Sequence, residues 1–495
     1  MPLETELKLS IPPGAVAALR RHPLLSGVTP QRQRLANTYY DTPALDLKRR
    51  RIALRHRQTA WGQLLTVKSA EPAAGGLAQR SEWEAPSLPG AFDFSHVDDR
   101  RLRAQLEELT PSLQPAFTTD FLRTTWLLAP APGVRIEMAL DRGAVRCERA
   151  GVVHEDPICE IELELLEGPA SSLFDVALAL QADLPLRPEI ASKAERGFRL
   201  FQQSPQQPMR AGRSPLVAGM RPQAAFVAVA LDCIGQLQRN EAGARAGDDP
   251  EFVHQARVAI RRLRSALRLW GPLLPPGFRE RFAPAWKGLA QLLGEARNLD
   301  VLATETLPPL HAAFPETPAL RRLAHLAGRR RQHWHREIRS AFAAPQFAEL
   351  LLSFTAALHS LPSDVSLFSL EEFMQRRLRR FAREVRRLAA ACGSDPQGHH
   401  QLRIAFKRLR YALEFAAPLY DAKQVRRYGA ATAEMQALLG AMNDLAVAGT
   451  LVAELRQRRT DDLVHGWLAG QAVLLHHLLP AALAGFREAR APWKA

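Results

Sequence analysis

Three residues near the start of the chain have the types and spacing to hold a metal ion and an anion together. Glu4, Glu6 and Lys8 alternate with Thr5, Leu7 and Leu9. In a β-strand alternate side chains share a face, so two carboxylates and an ammonium point one way. Acids at i and i+2 can share a hard divalent cation, and the lysine beside them can hold an anionic substrate. The pattern returns at Arg55/Arg57, Arg80/Glu82/Glu84, Arg135/Glu137 with Asp141, and Glu160/Glu162/Glu164, with Lys68 and Arg123 at the ends of alternating segments. One such stripe is ordinarily a solvated sheet face with cross-strand ion pairs. The set reads differently, because most of these segments carry apolar residues on the opposite face. A closed barrel with a charged interior accounts for it: bases bind phosphates and acids hold the bridging metal. Unpaired burial of so many charges would be very costly, so that interior must be wet or ligand-filled.

The elements that position these residues are short alternating strands at Glu4–Leu9, Ile52–Arg57, Gln63–Lys68, Arg80–Glu84, Arg123–Leu127, Val134–Asp141 and Ile158–Leu165. Turn signals separate several of them, among them Gly75-Gly76 and Pro132-Gly133. Helical periodicity intervenes near 98–109 and 171–182. Many antiparallel strands at this spacing predict a barrel or a sandwich. From Phe201 to Pro222 a Gln-, Ser-, Pro- and Gly-rich linker follows, and beyond it Ala-, Leu- and Arg-rich segments of period near 3.6 predict an all-helical half.

Six motifs in the first part, Glu4-Thr-Glu6-Leu-Lys8, Tyr39-Tyr40-Asp41-Thr42, Ala53-Leu54-Arg55-His56-Arg57, Thr66-Val67-Lys68, Arg80-Ser-Glu82-Trp-Glu84 and Glu160-Ile-Glu162-Leu-Glu164, resemble the CYTH domain of triphosphate tunnel metalloenzymes. The resemblance implies an eight-stranded antiparallel tunnel barrel with flanking helices that binds triphosphate with Mg²⁺ or Mn²⁺. It further implies that Glu4, Glu6, Lys8 and Lys68 are catalytic and that Arg55, Arg57, Arg80, Arg123 and Lys193 bind substrate. Glu4, Glu6, Glu160, Glu162, Glu164 and Asp141 would supply metal ligands, with the register of the late glutamates open by two residues. Glu82 and Glu84 complete the tunnel. Two departures stand out: Arg51 where the family often has glycine, and His56 at a hydrophobic position.

The second part carries the charge. Residues 1–205 hold 25 bases and 26 acids, leaving 41 of the 66 bases and 25 of the 51 acids to the remainder, a net of +16 there. Such asymmetry points to a polyanion partner. An internal repeat runs through this part: His254-Gln-Ala-Arg257-Val-Ala-Ile-Arg261-Arg262-Leu263-Arg264 returns as His400-Gln-Leu-Arg403-Ile-Ala-Phe-Lys407-Arg408-Leu409-Arg410, and Leu292-Leu293-Gly294 as Leu438-Leu439-Gly440. At 100° per residue, His254, Arg257, Arg261, Arg264 and Arg268 fall within a stripe of about 80°. His400, Arg403, Lys407 and Arg410 repeat it, with Glu414 in the place of the last arginine. Each histidine reads equally well as a ligand group or as a hydrogen-bonded core residue. Asp300 and Asp444, near the Leu-Leu-Gly segments, are expected to pair with the basic helices. Arg329–Arg331 and Arg376–Arg387 are expected to widen the basic surface.

These residues resemble the CHAD domain, a paired helical module often fused behind CYTH and linked to polyphosphate binding. The expected architecture is α+β: a tunnel domain at 1–204, a linker at 205–218, and an all-α domain of two repeated helical bundles at about 219–365 and 366–495. The resemblance implies hydrolysis of inorganic triphosphate, with long-chain polyphosphate held by the two stripes. A nucleoside or thiamine triphosphatase, an adenylate cyclase, a non-enzymatic polyphosphate binder and a nucleic-acid binder are the rival readings. The four cysteines show no zinc or disulfide spacing, no signal-peptide pattern opens the chain, and no apolar run approaches the length of a spanning helix. A cytoplasmic location follows, at polyphosphate granules where these form, with neither membrane nor nucleic acid as a partner. Residues 472–486 read as a core helix.

Overall fold

A computed structural model describes residues 3–59, 62–69, 73–88, 90–247, 249–362, 368–393, 396–455 and 461–493. Two compact units divide the chain: 1–207 with 344–360, and 208–343 with 361–495.

The first unit is built on nine antiparallel strands: β1 (Leu3–Ser10), β2 (Gln31–Asp41), β3 (Ile52–Thr59), β4 (Gly62–Ser69), β5 (Leu77–Ser87), β6 (Gln114–Ala131), β7 (Val134–Arg149), β8 (Val152–Glu167) and the two-residue β9 (Arg187–Pro188). The sheet order is β5-β4-β3-β2-β6-β7-β8-β1-β9, and β1 also pairs with β5. That last pairing closes an eight-stranded barrel, with β9 added beside Leu9 and Ser10. Closure leaves β1–β8 without a free edge.

The barrel is inside out in polarity. Leu7, Leu9, Met138, Leu140, Ile161 and Leu163 turn outward into a buried apolar cluster, and Leu54, Leu65, Val67 and Trp83 turn into another. Helices α2 (Ser171–Asp183) and α1 (Arg100–Leu109) cover these two faces in turn, and α3 (Lys193–Gln202) covers a third cluster of Leu35, Tyr39, Phe117, Phe121 and Val145. The alternate residues, the charged ones, face inward. β2 escapes the period-two reading because its first four residues, Gln31 to Arg34, are polar on both faces.

His56 belongs to the outer face. It is buried against Tyr40 and Phe92, and its Nε2 lies 2.9 Å from the Ala91 carbonyl. Asp41 is structural too, accepting hydrogen bonds from the backbone N–H groups of Thr42, Leu47 and Lys48. Arg51 has φ +59°, the left-handed region that favours glycine.

The second unit is all helical: α4 (Pro222–Ala246), α5 (Pro250–Leu269), α6 (Phe278–Val301) and α7 (Pro318–Ala343), then α9 (Leu370–Ala391), α10 (Pro396–Ala416), α11 (Ala422–Glu454) and α12 (Asp461–Glu488). Between the two sets runs α8 (Pro345–His359), which belongs to the tunnel unit although the repeat pattern runs through it. Leu352 joins the apolar cluster under β1, β7 and β8, and His359 stacks on Phe174 of α2.

Two sequence expectations are corrected here. α11 and α12 each carry an 18-residue window of mean hydropathy 1.3, long and apolar enough by composition to cross a membrane. Small and polar residues in α11, and histidines in α12, interrupt the contiguous apolar runs, which hid these windows. α12 is also not a core helix: Val473, Leu474 and Leu478 are 55–60% exposed, and only one side of it is buried.

Candidate functional site

Strand register sorts the tunnel charges into two groups. Glu6 lies opposite Glu164 across β1 and β8, while Lys8 lies opposite Glu162 and Ser10 opposite Glu160. On the far side of β8, Glu164 faces Glu137 and Glu160 faces Asp141. The six acids expected to hold metal together therefore fall into two sets at different levels of the barrel.

The first set is internally neutralised. Lys193, at the start of α3, lies 2.7 Å from Asp141, 2.5 Å from Glu160 and 2.9 Å from Glu162. Lys8 sits 3.1 Å from Glu162 and 3.6 Å from Glu160. Arg123 donates to Asp141 at 2.8 and 2.7 Å and also to Glu162. Burial alone would pull the Lys8 and Lys193 ammoniums down; the carboxylates around them outweigh it and push both up. The same cations hold the Glu162 carboxyl well below its ordinary range against the effect of burial. Asp141, Glu160 and Glu162 bring one ligand oxygen each to within 4.8 Å of one another. This buried acidic cluster could hold a metal ion, provided Lys193 withdrew. Arg196 adds a cation 3.7 Å from Glu160; no alternation marks it, because it lies on a helix.

The second set is short of cations. Lys68 bonds Glu4 at 2.9 Å and Glu82 at 2.6 Å, and Arg80 pairs with Glu6 and Glu4. Arg55 reaches Glu82 at 3.7 Å and donates to the Tyr39 hydroxyl at 3.3 Å, and Arg57 reaches Glu84 at 3.5 Å. Four cations thus face six acids, Glu4, Glu6, Glu82, Glu84, Glu137 and Glu164. The surplus collects at Glu164, which has no cation within ion-pair distance among the described residues. Burial, then Glu4 and Glu137, push its carboxyl up to about 7. Burial also raises Glu4, with Lys68 opposing and Glu82 adding to the shift. A carboxylate cluster with a deficit of positive charge fits a divalent cation. Glu137 shares the alternation but carried no assigned role in the sequence; its pairing with Glu164 gives it one.

In the helical unit the two repeat-equivalent helices bring their stripes together. Burial, and then Arg403, Arg261 and Arg257, drive the Lys407 ammonium down to about 7. Burial and Arg261 likewise bring Arg257 down to about 10. Asp444 is the acid that faces this group. Burial lowers His254, Arg264 and Arg403 as well. Arg261 donates to the Tyr411 hydroxyl, and Arg410 turns to Gln436 at 2.7 Å. His400 lines a cavity of about 600 Å³ between α10, α11 and α12, with Arg403, His399, His465 and His476.

Some charges serve the fold instead. Arg262, outside the stripe and 1% exposed, binds Glu414 at 2.7 Å and Asp232 at 3.0 Å. This explains the glutamate at 414: it joins the two repeats. Asp300 pairs with Arg331 at 2.5 Å and His335 at 3.0 Å on α7, not with the basic stripe. Arg330 pairs with Glu454, so two of the three arginines at 329–331 brace helices and do not widen the surface. All four cysteines are free.

Comparison with known proteins agrees with this geometry. A CYTH domain model matches residues 2–198 and a CHAD domain model residues 228–453. An inorganic triphosphatase of Haemophilus influenzae is 34% identical over 205 residues, covering 40% of this chain and 54% of that protein. The chain thus spans about half the length of that curated relative. The CHAD domain of Ricinus communis is 33% identical with TM-score 0.51, over 58% of this chain and 99% of its own. A candidate adenylyl cyclase from Hippeastrum with a dominant triphosphatase activity is 22% identical with TM-score 0.31, over 41% of this chain and 98% of its own. The chain belongs to the CYTH and CHAD families, with an N-terminal CYTH tunnel domain fused to a CHAD domain.

Proposed function

We propose that this protein is a metal-dependent inorganic triphosphatase that hydrolyses tripolyphosphate to pyrophosphate and phosphate in the tunnel, and that its helical unit binds polyphosphate. The observation that carries the catalytic reading is the acid surplus that leaves Glu164 unpaired beside Glu4 and Glu137, inside a closed barrel that also presents Arg55, Arg57, Lys68 and Arg80. A pure anion binder has no need of such an acid surplus. The Haemophilus relative supports the choice of inorganic triphosphate.

Glu4, Glu6 and Glu164 would hold Mg²⁺ or Mn²⁺, with Glu137 beside them. The ion, when bound, supplies neutralising charge for the phosphate oxygens. Arg55, Arg57, Lys68 and Arg80 exchange their present carboxylate partners for phosphate oxygens as substrate enters. Lys8, Arg123 and Lys193 remain anchored by Asp141, Glu160 and Glu162, and offer fixed donors to the far end of the chain. A carboxylate positions the attacking water in line with the terminal phosphorus. The free cysteines support a reducing, cytoplasmic setting.

The test is phosphate release from tripolyphosphate, ATP and thiamine triphosphate, with and without Mg²⁺ or Mn²⁺. Metal-dependent release that favours tripolyphosphate is expected. Preference for ATP or thiamine triphosphate would move the assignment to a nucleoside or thiamine triphosphatase, and no release from any of them would leave a binding protein.

A further inference from the structure

α9 carries seven arginines and no lysine, at 376, 377, 379, 380, 383, 386 and 387. Its apolar residues Phe373, Met374, Leu378, Phe381, Ala382 and Val385 are buried, and every one of the seven except the half-buried Arg377 is exposed. A basic stripe on one helix is ordinarily just solvated. Three features separate this one from that case.

Its own acids are committed elsewhere. Glu371 accepts from the Gly219 N–H, Glu372 closes the capping box with Ser369, and Glu384 pairs with Arg408 at 3.0 Å. Among the described residues none of the seven arginines has a carboxylate within ion-pair distance. The stripe also continues an existing cationic path. Arg377 donates to the Arg268 carbonyl at 3.0 Å, and Arg268, lowered by burial and then by Arg408, Arg264 and Arg279, ends the α5 stripe that begins at Arg257. At 1.5 Å per residue, each of the two stripes is roughly 16 Å long. Finally, guanidinium binds phosphate oxygens in a bidentate fork that an ammonium cannot form. Aromatic rings for stacking bases are scarce on this face: Phe373 and Phe381 are buried, and Phe368, 38% exposed, has one face taken by Arg376 at 4.0 Å.

We propose that the arginine face of α9 is a second phosphate-binding surface, continuous with the α5–α10 groove, which makes the helical unit select long linear polyphosphate over short chains. The inference rests on the polyphosphate reading of that groove. Short chains fill the groove alone, whereas a long chain leaves it past Arg264 and Arg268 and lies along Arg376, Arg380 and Arg387, the exposed arginines within about 100° of Arg377 round the helix. The second segment binds at high effective concentration because the first is already held.

The experiment uses the full chain in metal-free buffer, with end-labelled short and long polyphosphates followed by fluorescence anisotropy. R376Q/R380Q/R387Q should weaken long-chain binding roughly tenfold and lower its salt slope by about three, while short-chain binding stays unchanged. R376K/R380K/R387K should keep most of the slope, which separates lost charge from altered folding. Undiminished long-chain binding by the glutamine variant, or an equal loss for both lengths, overturns the proposal. So does duplex DNA that displaces the long chain as well as unlabelled polyphosphate does. The groove variant R257Q/R403Q/K407Q should lose long-chain binding outright; if it does not, the polyphosphate reading of the groove fails, whatever α9 does.

Discussion

The tunnel and the helical groove are both lined with bases, but they tolerate those bases by opposite means. In the tunnel each buried cation has a carboxylate partner: Lys8, Arg123 and Lys193 share Asp141, Glu160 and Glu162, and Lys68 and Arg80 share Glu4, Glu6 and Glu82. In the groove Arg257, Arg403 and Lys407 share little beyond Asp444, and burial and then the cations around them lower all three. A paired base is released only to a ligand that brings compensation of its own. An unpaired groove holds its positive charge reluctantly and gains most when an anion arrives. The first arrangement suits chemistry that must hold metal and phosphate in fixed places. The second suits a grip on a flexible polyanion.

The largest effect that would break this contrast is in the tunnel. Replacing Glu4 and Glu6 together with Gln should cut metal-dependent phosphate release by about 100-fold or more, read by phosphate assay at saturating metal. E164Q should act in the same direction by removing the carboxylate that carries the acid surplus. Long-chain polyphosphate binding by the helical unit should be unchanged in both. Unchanged release would remove the metal role from the acid-rich end and turn attention to Asp141, Glu160 and Glu162.

The next effect concerns how the tunnel keeps its polarity inverted. Its outward apolar face depends on covering helices, and α8 is one of them although it lies between helices of the other unit in sequence. Leu352→Ala should cost about 2–5 kcal/mol, measured as a lower midpoint for the tunnel unit in chemical denaturation. The helical unit's transition should not move. A shift of the second transition alone would mean that α8 stabilises its sequence neighbours instead.

The groove has its own test in pH. The Lys407 ammonium is held at about 7, below the ordinary lysine value of 10.5, so the empty groove loses this proton as pH rises through 7. A bound polyphosphate restores it. Affinity should therefore fall as pH rises above 7, by at most about tenfold per unit, with proton uptake on binding seen by calorimetry in buffers of different ionisation enthalpy. K407R should bind with little pH dependence. The sign for folding is the reverse: the unfolded chain binds the extra proton between about 7 and 10.5, so this group's contribution to stability rises with pH across that window. A flat binding profile in the native protein would place Lys407 outside the phosphate path.

Much of this was legible in the chain. Period-two alternation marked seven of the eight barrel strands, all but β2, and the 146-residue repeat marked the two groove helices. Facts that depend on register or on distant contacts were not. The division of the late glutamates follows from Glu6 meeting Glu164 and Lys8 meeting Glu162, which no single strand discloses. Arg262 looked like one more base of a basic helix until its partners Asp232 and Glu414 came from two other segments. α8 has ordinary amphipathic composition, so nothing local says which core receives Leu352. α12 misled for a related reason: its apolar content is real, but burial is one-sided.

Arg51 offers the smallest effect and the cleanest control on the comparison, since it touches neither charge set. It ends a one-turn helix at Asp46–Arg49 and enters β3 with φ +59°, donating its N–H to the Lys48 carbonyl at 3.0 Å. Its side chain is exposed, so little packing is lost on truncation. A left-handed conformation costs a residue with a Cβ about 1–2 kcal/mol, and glycine returns part of that through its greater freedom in the unfolded chain. R51G should therefore stabilise the tunnel unit by about 0.5–1 kcal/mol, seen as a higher denaturation midpoint. Phosphate release and polyphosphate binding should stay at native values, because Arg55 and Arg57 keep their register on β3 with Tyr39 and Asn37. Lower stability would mean that the Arg51 side chain itself holds the turn; altered release would mean that the entry to β3 sets the position of the tunnel arginines.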